Sequence, residues 1–510
     1  MNDKVNILPE DPYNRELASN VHPPDWVNPE PARVYNMVVI GAGTAGLVTA
    51  AVAAGLGGKV ALVERHLLGG DCLNVGCVPS KCIIRSSRAA FDVGDAHRFG
   101  ISVPEGAEVD FPAVMERMRR IRSVISENDS ARRYSEDLGV DVFIGSGVFT
   151  GPDSVEVDGK TLRFKRAAIT TGARAFELPI DGLAEAGYLT NETVFSLTER
   201  PDRLAVIGAG PLGCELAQTF QRLGSEVTLL EAGPQILSRE DRDAARVVEE
   251  SMIRDGVELV LSCSISRVER AHEGKVIHLE CDGEMKRIVV DDILIGVGRV
   301  PNVDGLNLEA AGVRYDARKG VEVDDRLRTS NPRIYAAGDI CFPYKFTHTA
   351  DATARIVIQN ALFWGRKKAS ALTIPWCTYT DPEIAHVGMY ERDAAEKGIP
   401  VDTFTIGMDD VDRALADGEE EGMVRIHVRK GTDTILGATI VARHAGEMIS
   451  EVSVAMQAKI GLGALSSVIH PYPTQAEAIR RAADAYNRTR LTPRVKGIFE
   501  RILRWRRGGD

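Results

Sequence analysis

The chain has 510 residues, a formal net charge of −11, and 44% hydrophobic against 26% charged residues. These values describe an ordinary globular protein of roughly two to four domains. Without a long basic block they argue against general nucleic-acid binding, which needs Lys and Arg on one face to neutralise phosphates. No stretch approaches ~20 uninterrupted apolar residues and no apolar run of signal-peptide length opens the chain, so the expected compartment is the cytoplasm, where a disulfide is more often catalytic than structural.

Residues 1–33 carry Pro9, Pro12, Pro23, Pro24, Pro29 and Pro31 and read as an extended arm, with Trp26 as the residue that docks it. An apolar run at residues 34–40 then stops at Gly41-Ala42-Gly43-Thr44-Ala45-Gly46, a small-residue helix follows over 47–56, and a second apolar run ends in Glu64. Strand, glycine turn, helix, strand and acid are what a dinucleotide needs: the glycines let backbone amides approach a pyrophosphate at the positive helix end, and the acid accepts from a ribose hydroxyl. Gly41, Gly43, Gly46 and Glu64 are therefore the first cofactor-binding set.

A few residues later comes Gly69-Gly70-Asp71-Cys72-Leu73-Asn74-Val75-Gly76-Cys77-Val78-Pro79-Ser80-Lys81. Two cysteines five positions apart between glycines can close a small, easily reduced ring, and a helix beginning near Gly70, with Lys81 a turn further on, is expected to lower both thiol pKa values. Two buried thiols or half of a zinc site are the plainer readings. The other six cysteines, Cys82, Cys214, Cys263, Cys281, Cys341 and Cys377, are scattered without zinc-ribbon spacing.

Amphipathic helical segments over roughly 81–93 and 111–138 lead to a series of short strands that ends at Thr171-Gly172. The whole pattern then repeats: a strand over 203–207, the turn Gly208-Ala209-Gly210-Pro211-Leu212-Gly213, a helix over 214–223, a strand over 226–230, and Glu231. Two copies imply two dinucleotides. Glu231, with no Arg before Arg239, favours a free ribose 2′-hydroxyl and hence NADH over NADPH. The second unit ends at Gly298-Arg299-Val300-Pro301-Asn302, and Gly172 and Gly298 are counted with the cofactor-binding glycines. Asp339, closing the strand-and-turn segment Ala336-Ala337-Gly338-Asp339, reads either as a cofactor ligand or as a helix N-cap.

From residue 372 onward, β-rich segments and helices form a unit without a nucleotide motif, the kind of unit that often makes an oligomer interface. Within it His470-Pro471-Tyr472-Pro473-Thr474-Gln475-Ala476-Glu477 offers a His with a nearby Glu, either an acid/base couple or a proline-stiffened loop with a surface His. Residues 496–507 interleave basic and apolar residues at helical spacing, a pattern that packs on its own protein or lies on an anionic membrane surface.

Together these residues resemble the flavin-dependent pyridine nucleotide-disulfide oxidoreductases, the group of dihydrolipoyl dehydrogenase, glutathione reductase and mercuric reductase, over about residues 35–490. The resemblance implies an α/β fold: two Rossmann-like βαβ dinucleotide-binding domains and an α+β C-terminal dimerisation domain. Its expected division is an arm at 1–33, an FAD domain at 34–190 and 300–371, an NAD(P) domain at 191–299, a dimerisation domain at 372–490 and a basic tail at 491–510. It implies FAD on Gly41, Gly43, Gly46, Glu64 and Asp339, a pyridine nucleotide on Gly208, Gly210, Gly213 and Glu231, and an ion pair of Lys81 with Glu215 beside the flavin. Cys72 and Cys77 become a redox-active disulfide, with Cys77 next to the flavin and Cys72 exchanging with substrate. In a homodimer, Tyr472 and Glu477 of one subunit complete the site of the other.

One position separates the branches of this group. Disulfide-reducing members carry a catalytic His two positions after the first residue of the late motif, where this chain has Tyr472 and keeps only His470. A phenol with a pKa near ~10 is a poor base at neutral pH. Mercuric reductases carry a Tyr there, and a soft metal ion held transiently by the sulfurs of Cys72 and Cys77 needs no such base. The sequence shows neither a metal-binding Cys pair ahead of residue 35 nor vicinal cysteines at its Arg506-Arg507-Gly508-Gly509-Asp510 end, which leaves the acceptor open. The expected activity is NAD(P)H-dependent reduction of a soft metal ion such as Hg(II) or another small acceptor. A dihydrolipoyl dehydrogenase-like disulfide reductase using His470, and a flavin-bound redox sensor at a membrane surface, are the alternatives.

Overall fold

A computed structural model describes residues 5, 7–104 and 106–508; the first residues of the 1–33 arm and the Gly509-Asp510 end of the tail lie outside the described residues. The chain divides into two compact units, one made of the described residues up to 234 together with 256–372, the other of 235–255 together with the residues from 373 onward.

The first unit holds a mixed sheet, parallel except where Ser154–Val157 runs antiparallel to both its neighbours, and a fully parallel one. The mixed sheet has seven strands, in the order Asp141–Ile144, Val60–Glu64, Tyr35–Ile40, Lys160–Ile169, Ser154–Val157, Val148–Gly151, with Ile334–Ala336 also paired to Lys160–Ile169. Its central strands are continuous apolar runs because both faces are covered, and Met37, Val38, Val39 and Leu62 are fully buried. The second sheet runs Glu258–Leu261, Glu226–Glu231, Arg203–Ile207, Asp292–Ile295, all parallel. The repeat read from the sequence is thus two copies of one strand-helix-strand device: Tyr35–Ile40, Thr44–Gly55 and Val60–Glu64, then Arg203–Ile207, Pro211–Arg222 and Glu226–Glu231.

One expectation is corrected here. The arm is not extended throughout, since Pro12–Val21 is a helix whose first turn is capped by the Asp11 carboxylate, which accepts from Asn14 N at 2.7 Å. Pro12 sits at the first helical turn, where a missing N–H costs nothing. Leu17 and Val21 are fully buried, and Trp26 donates its Nε1–H to Val142 O at 3.2 Å, which docks the segment on the seven-stranded sheet. A disulfide also joins two of the scattered cysteines, which their spacing did not indicate. Cys263 and Cys281 face each other across the antiparallel strands Cys263–Ala271 and Gly274–Cys281, with Cα atoms 4.5 Å apart, and are joined as a disulfide.

The second unit is built on a five-stranded antiparallel sheet in the order Pro375–Thr378, Glu383–Gly388, Ile435–Ala442, Met423–Arg429, Val401–Gly407. Helices Ala445–Gln457 and Glu477–Thr489 supply Ile449, Val452, Ile479 and Ala483 to its core beside Val424, Ile426 and Ile440. Helix Arg242–Arg254 belongs to this unit: Ser251 Oγ donates to Asp381 O at 2.6 Å and Trp376 Nε1 to Glu240 at 2.8 Å. The tail folds into helix Pro493–Arg506, which buries none of its residues in this chain.

Candidate active site

The two glycine turns have the same construction. Gly41 and Gly208 adopt φ of +99° and +100°, which a side chain would strain. A Cβ added at Gly46 would lie 1.8 Å from Gly41 O, and one at Gly213 1.9 Å from Gly208 O, so helix and strand approach only with glycine there. Each acid closes its turn through two backbone amides. Glu64 accepts from Ala42 N at 2.6 Å and His66 N at 2.8 Å; Glu231 accepts from Ala209 N at 2.8 Å and Gly233 N at 2.9 Å. Burial raises the Glu64 pKa, and the amides of Ala42 and His66 oppose that rise.

The thiol stretch forms helix Gly70–Asn74 and, after a break at Val75-Gly76, helix Cys77–Gly94. Cys72 and Cys77 are both free thiols. The expectation that a helix end lowers both pKa values is corrected for Cys72. Its S–H donates to Cys77, and this bond, burial and the charges of Cys77 and Asp129 push it above the usual thiol range. Cys77 moves the other way, below the usual thiol range, because it accepts from Cys72, bonds the Thr347 hydroxyl and feels Lys81. Thr347 Oγ1 lies 3.3 Å from Cys77 Sγ and opens helix Thr347–Leu362, whose positive end favours a thiolate. The pair is therefore one thiolate and one thiol.

Lys81 Nζ and Glu215 Oε2 are 2.7 Å apart, tying the thiol helix to the helix of the second turn, with Glu215 buried. An open cleft of about 390 Å³ beside them is lined by Cys77, Lys81, Cys82, Arg85 and Arg117. Asp339 is not an N-cap; it lies in the single turn Gly338–Ile340, 3.6 Å from Arg299 Nε. Arg299 also pairs with Asp71, beside Cys72. Gly172 and Gly298, with φ of +67° and +122°, leave open space around a hypothetical Cβ.

In the second unit the expected His470–Glu477 couple does not form. The helix that begins at Glu477 turns its carboxylate onto Arg480 at 2.7 Å, while His470 Nε2 reaches Glu451 at 2.9 Å. The His470 side chain is only 6% exposed, so it is not a surface His. Tyr472 is 71% exposed, and its hydroxyl donates to Asp412 Oδ2 at 2.8 Å, which raises its pKa further.

The sequence pattern of the pyridine nucleotide-disulphide oxidoreductases matches residues 35–354, and that of the dimerisation domain of the same family matches 374–483. The chain belongs to this family. The mercuric reductase of Lysinibacillus sphaericus is 34% identical over 454 residues, covering 89% of this chain and 83% of that relative. The dihydrolipoyl dehydrogenase of Thermus scotoductus is 33% identical over 462 residues, covering 89% and 98%. Among solved structures, the HOCl-induced flavoprotein disulfide reductase RclA of Escherichia coli matches at TM-score 0.78 and 28% identity over 88% of this chain and 99% of its own. LpdA of Mycobacterium tuberculosis matches at 0.80 and 28% over the same shares.

The family is FAD-dependent and uses NAD(P)H, and its dimerisation domain supports a homodimer. The residues present fit a flavin dinucleotide. A Cβ at Gly70 would sit 2.6 Å from Gly43 Cα, whereas one at Gly43 meets nothing nearer than 3.7 Å, so the two glycines leave a narrow slot at the helix end. Among the described residues no helix is long and apolar enough to cross a membrane. Sequence reasoning missed Thr347, Asp129 and Arg299, because each lies far along the chain from Cys72 and carries no local motif.

Proposed function

We propose that the protein is an NADH-dependent flavoprotein that delivers electrons through Cys72 and Cys77 to a soft metal ion such as Hg(II), or to another small acceptor, in the cytoplasm. The observation that supports this most is Tyr472, whose hydroxyl is tied to Asp412 with a raised pKa and so offers no base to a dithiol substrate. The 34% identity to mercuric reductases and a solved Cu(II) complex of RclA, matched at TM-score 0.78, point the same way.

In this reading residues 34–190 and 300–371 hold FAD through Gly41, Gly43, Gly46, Glu64, Gly172 and Asp339, and residues 191–299 hold NADH through Gly208, Gly210, Gly213, Glu231 and Gly298. FAD, when bound, supplies two-electron transfer between the nicotinamide and the thiol pair. The chain does the rest. Lys81, fixed by Glu215, and Thr347 hold negative charge on Cys77. Cys72 keeps its proton until a soft cation binds both sulfurs, and that proton then leaves to water. The balance is Hg(II) plus NADH giving Hg(0), NAD⁺ and one proton. Tyr472 and Glu477 of one subunit complete the site of the other in a homodimer formed through residues 372–490.

The test is anaerobic NADH oxidation with Hg(II) under excess small thiol, compared with lipoamide and glutathione disulfide, in the native protein and in Cys72→Ala. Turnover with mercury only, lost in the variant, is the expected result; turnover with a disulfide sinks it. A second reading, a dihydrolipoyl dehydrogenase-like disulfide reductase, rests on His470, whose ring is oriented by Glu451 at 2.9 Å as a base requires.

A further inference from the structure

We infer that helix Pro493–Arg506 is a docking element for an anionic lipid surface. It lies beyond residues 374–483 matched to the dimerisation domain, so it is an addition to the family's common core. The helix is well specified locally: Thr492 caps it by accepting from Val495 N at 3.3 Å, Pro493 occupies its first turn, and Arg504 and Arg506 sit at its negative end. None of its residues is buried. A lone helix of this length is marginal in water, and most helices gain their stability by packing an apolar face.

That face exists. Val495, Ile498, Phe499, Ile502 and Leu503 recur at i, i+3, i+4, i+7 and i+8, which aligns them along one side, with Trp505 at the edge of the stripe. Ile498, Phe499, Ile502, Leu503 and Trp505 are 45–77% exposed. The other positions carry Arg494, Lys496, Arg501, Arg504, Arg506 and Arg507 against the single acid Glu500. An apolar stripe flanked by cations and edged by an indole fits the boundary between lipid headgroups and acyl chains, where the stripe leaves water and the guanidinium groups meet phosphate. The rest of the chain carries the acidic excess behind the net charge of −11, so attraction to such a surface concentrates at this helix. With no helix long and apolar enough to cross a bilayer among the described residues, the helix would lie on the surface.

The experiment is co-sedimentation of the full-length flavoprotein with vesicles of phosphatidylcholine alone and of phosphatidylcholine mixed with phosphatidylglycerol, with sedimentation velocity in the absence of lipid. The expected result is pelleting with the anionic vesicles only, a blue shift of tryptophan emission that Trp505→Phe removes, and release at high salt. Arg501→Gln with Arg504→Gln should weaken binding roughly 25-fold, about fivefold for each charge lost. Phe499→Ser with Leu503→Ser should abolish binding while NADH oxidation, whatever its acceptor, stays unchanged. Equal pelleting with neutral vesicles, or none with either, overturns the inference. So does a fall in oligomer mass when residues 491–510 are removed, which would make a second copy of the chain the occupant of the stripe.

Discussion

The turns at residues 41–46 and 208–213 match in dihedral angle, in the glycine that admits the helix, and in the acid that binds two amides. Their continuations differ. After Glu64 the chain enters the two short-spaced thiol helices; after Glu231 it supplies Glu258–Leu261 and then an antiparallel sheet closed by Cys263–Cys281. In the proposed reading the same backbone device serves two dinucleotides, and the chemistry is set by the segment attached behind each copy. A charged contact joins the two copies, Lys81 on the thiol helix with Glu215 on the helix of the second turn.

The largest effect should come from the thiol pair, which only the first copy carries. Cys77→Ser should lower kcat for NADH-driven metal reduction at least about a thousandfold while flavin stays bound, since it removes the thiolate on which the proposed route depends. Wild-type rates in this variant would show that electrons bypass the thiol pair.

Matched substitutions in the turns come next. Gly46→Ala places a Cβ against Gly41 O and should yield protein without visible flavin absorbance; Gly213→Ala places one against Gly208 O and should keep the flavin but raise the KM for NADH about 10- to 100-fold, from overpacking of about 1–3 kcal/mol. Loss of flavin from both, or from neither, would undo the assignment of one dinucleotide to each turn. Glu231→Arg should then shift the ratio of NADPH to NADH kcat/KM upward by about tenfold or more; an unchanged ratio removes the argument for NADH.

The smallest effect concerns the contact between the copies. Cys77 is held below the ordinary thiol range, so in the reduced protein its thiolate is present at lower pH than a free thiol's and is lost as pH falls through the lowered midpoint. Lys81→Met removes a nearby cation and leaves the Glu215 carboxylate, so the thiolate absorbance should titrate higher by about 0.5–1 unit, a shift held down by the partial exposure of Lys81. An unmoved midpoint would assign the lowering to Thr347 and the Cys72 S–H alone.

Both turns, both acids and the thiol stretch were legible in the sequence because each is a local device: the spacing of glycine, strand and acid along a few dozen residues is what the backbone requires. The arm helix was hidden for a local reason too, since its many prolines favour extended chain while Asp11-Pro12 is a cap and first-turn pair that starts a helix. His470 drew the nearest acid in sequence, Glu477, yet the acid it meets is Glu451 on the packed helix Ala445–Gln457. The bridge between Cys263 and Cys281 depends on the register of two antiparallel strands, which the positions of eight cysteines along the chain do not disclose.

By itself, then, the sequence determined the repeated strand-turn-helix device and the closely spaced pair of cysteines, because these are set by residue type at short spacing. Only the tertiary structure decided the direction in which each thiol is shifted. Those directions rest on Thr347, 270 residues beyond Cys77, on Asp129 near Cys72, and on a lysine fixed by a glutamate from the other copy of the turn. Thiol acidity is set by the field and the hydrogen bonds at each sulfur, and those come from whichever groups the fold brings near, at any distance along the chain.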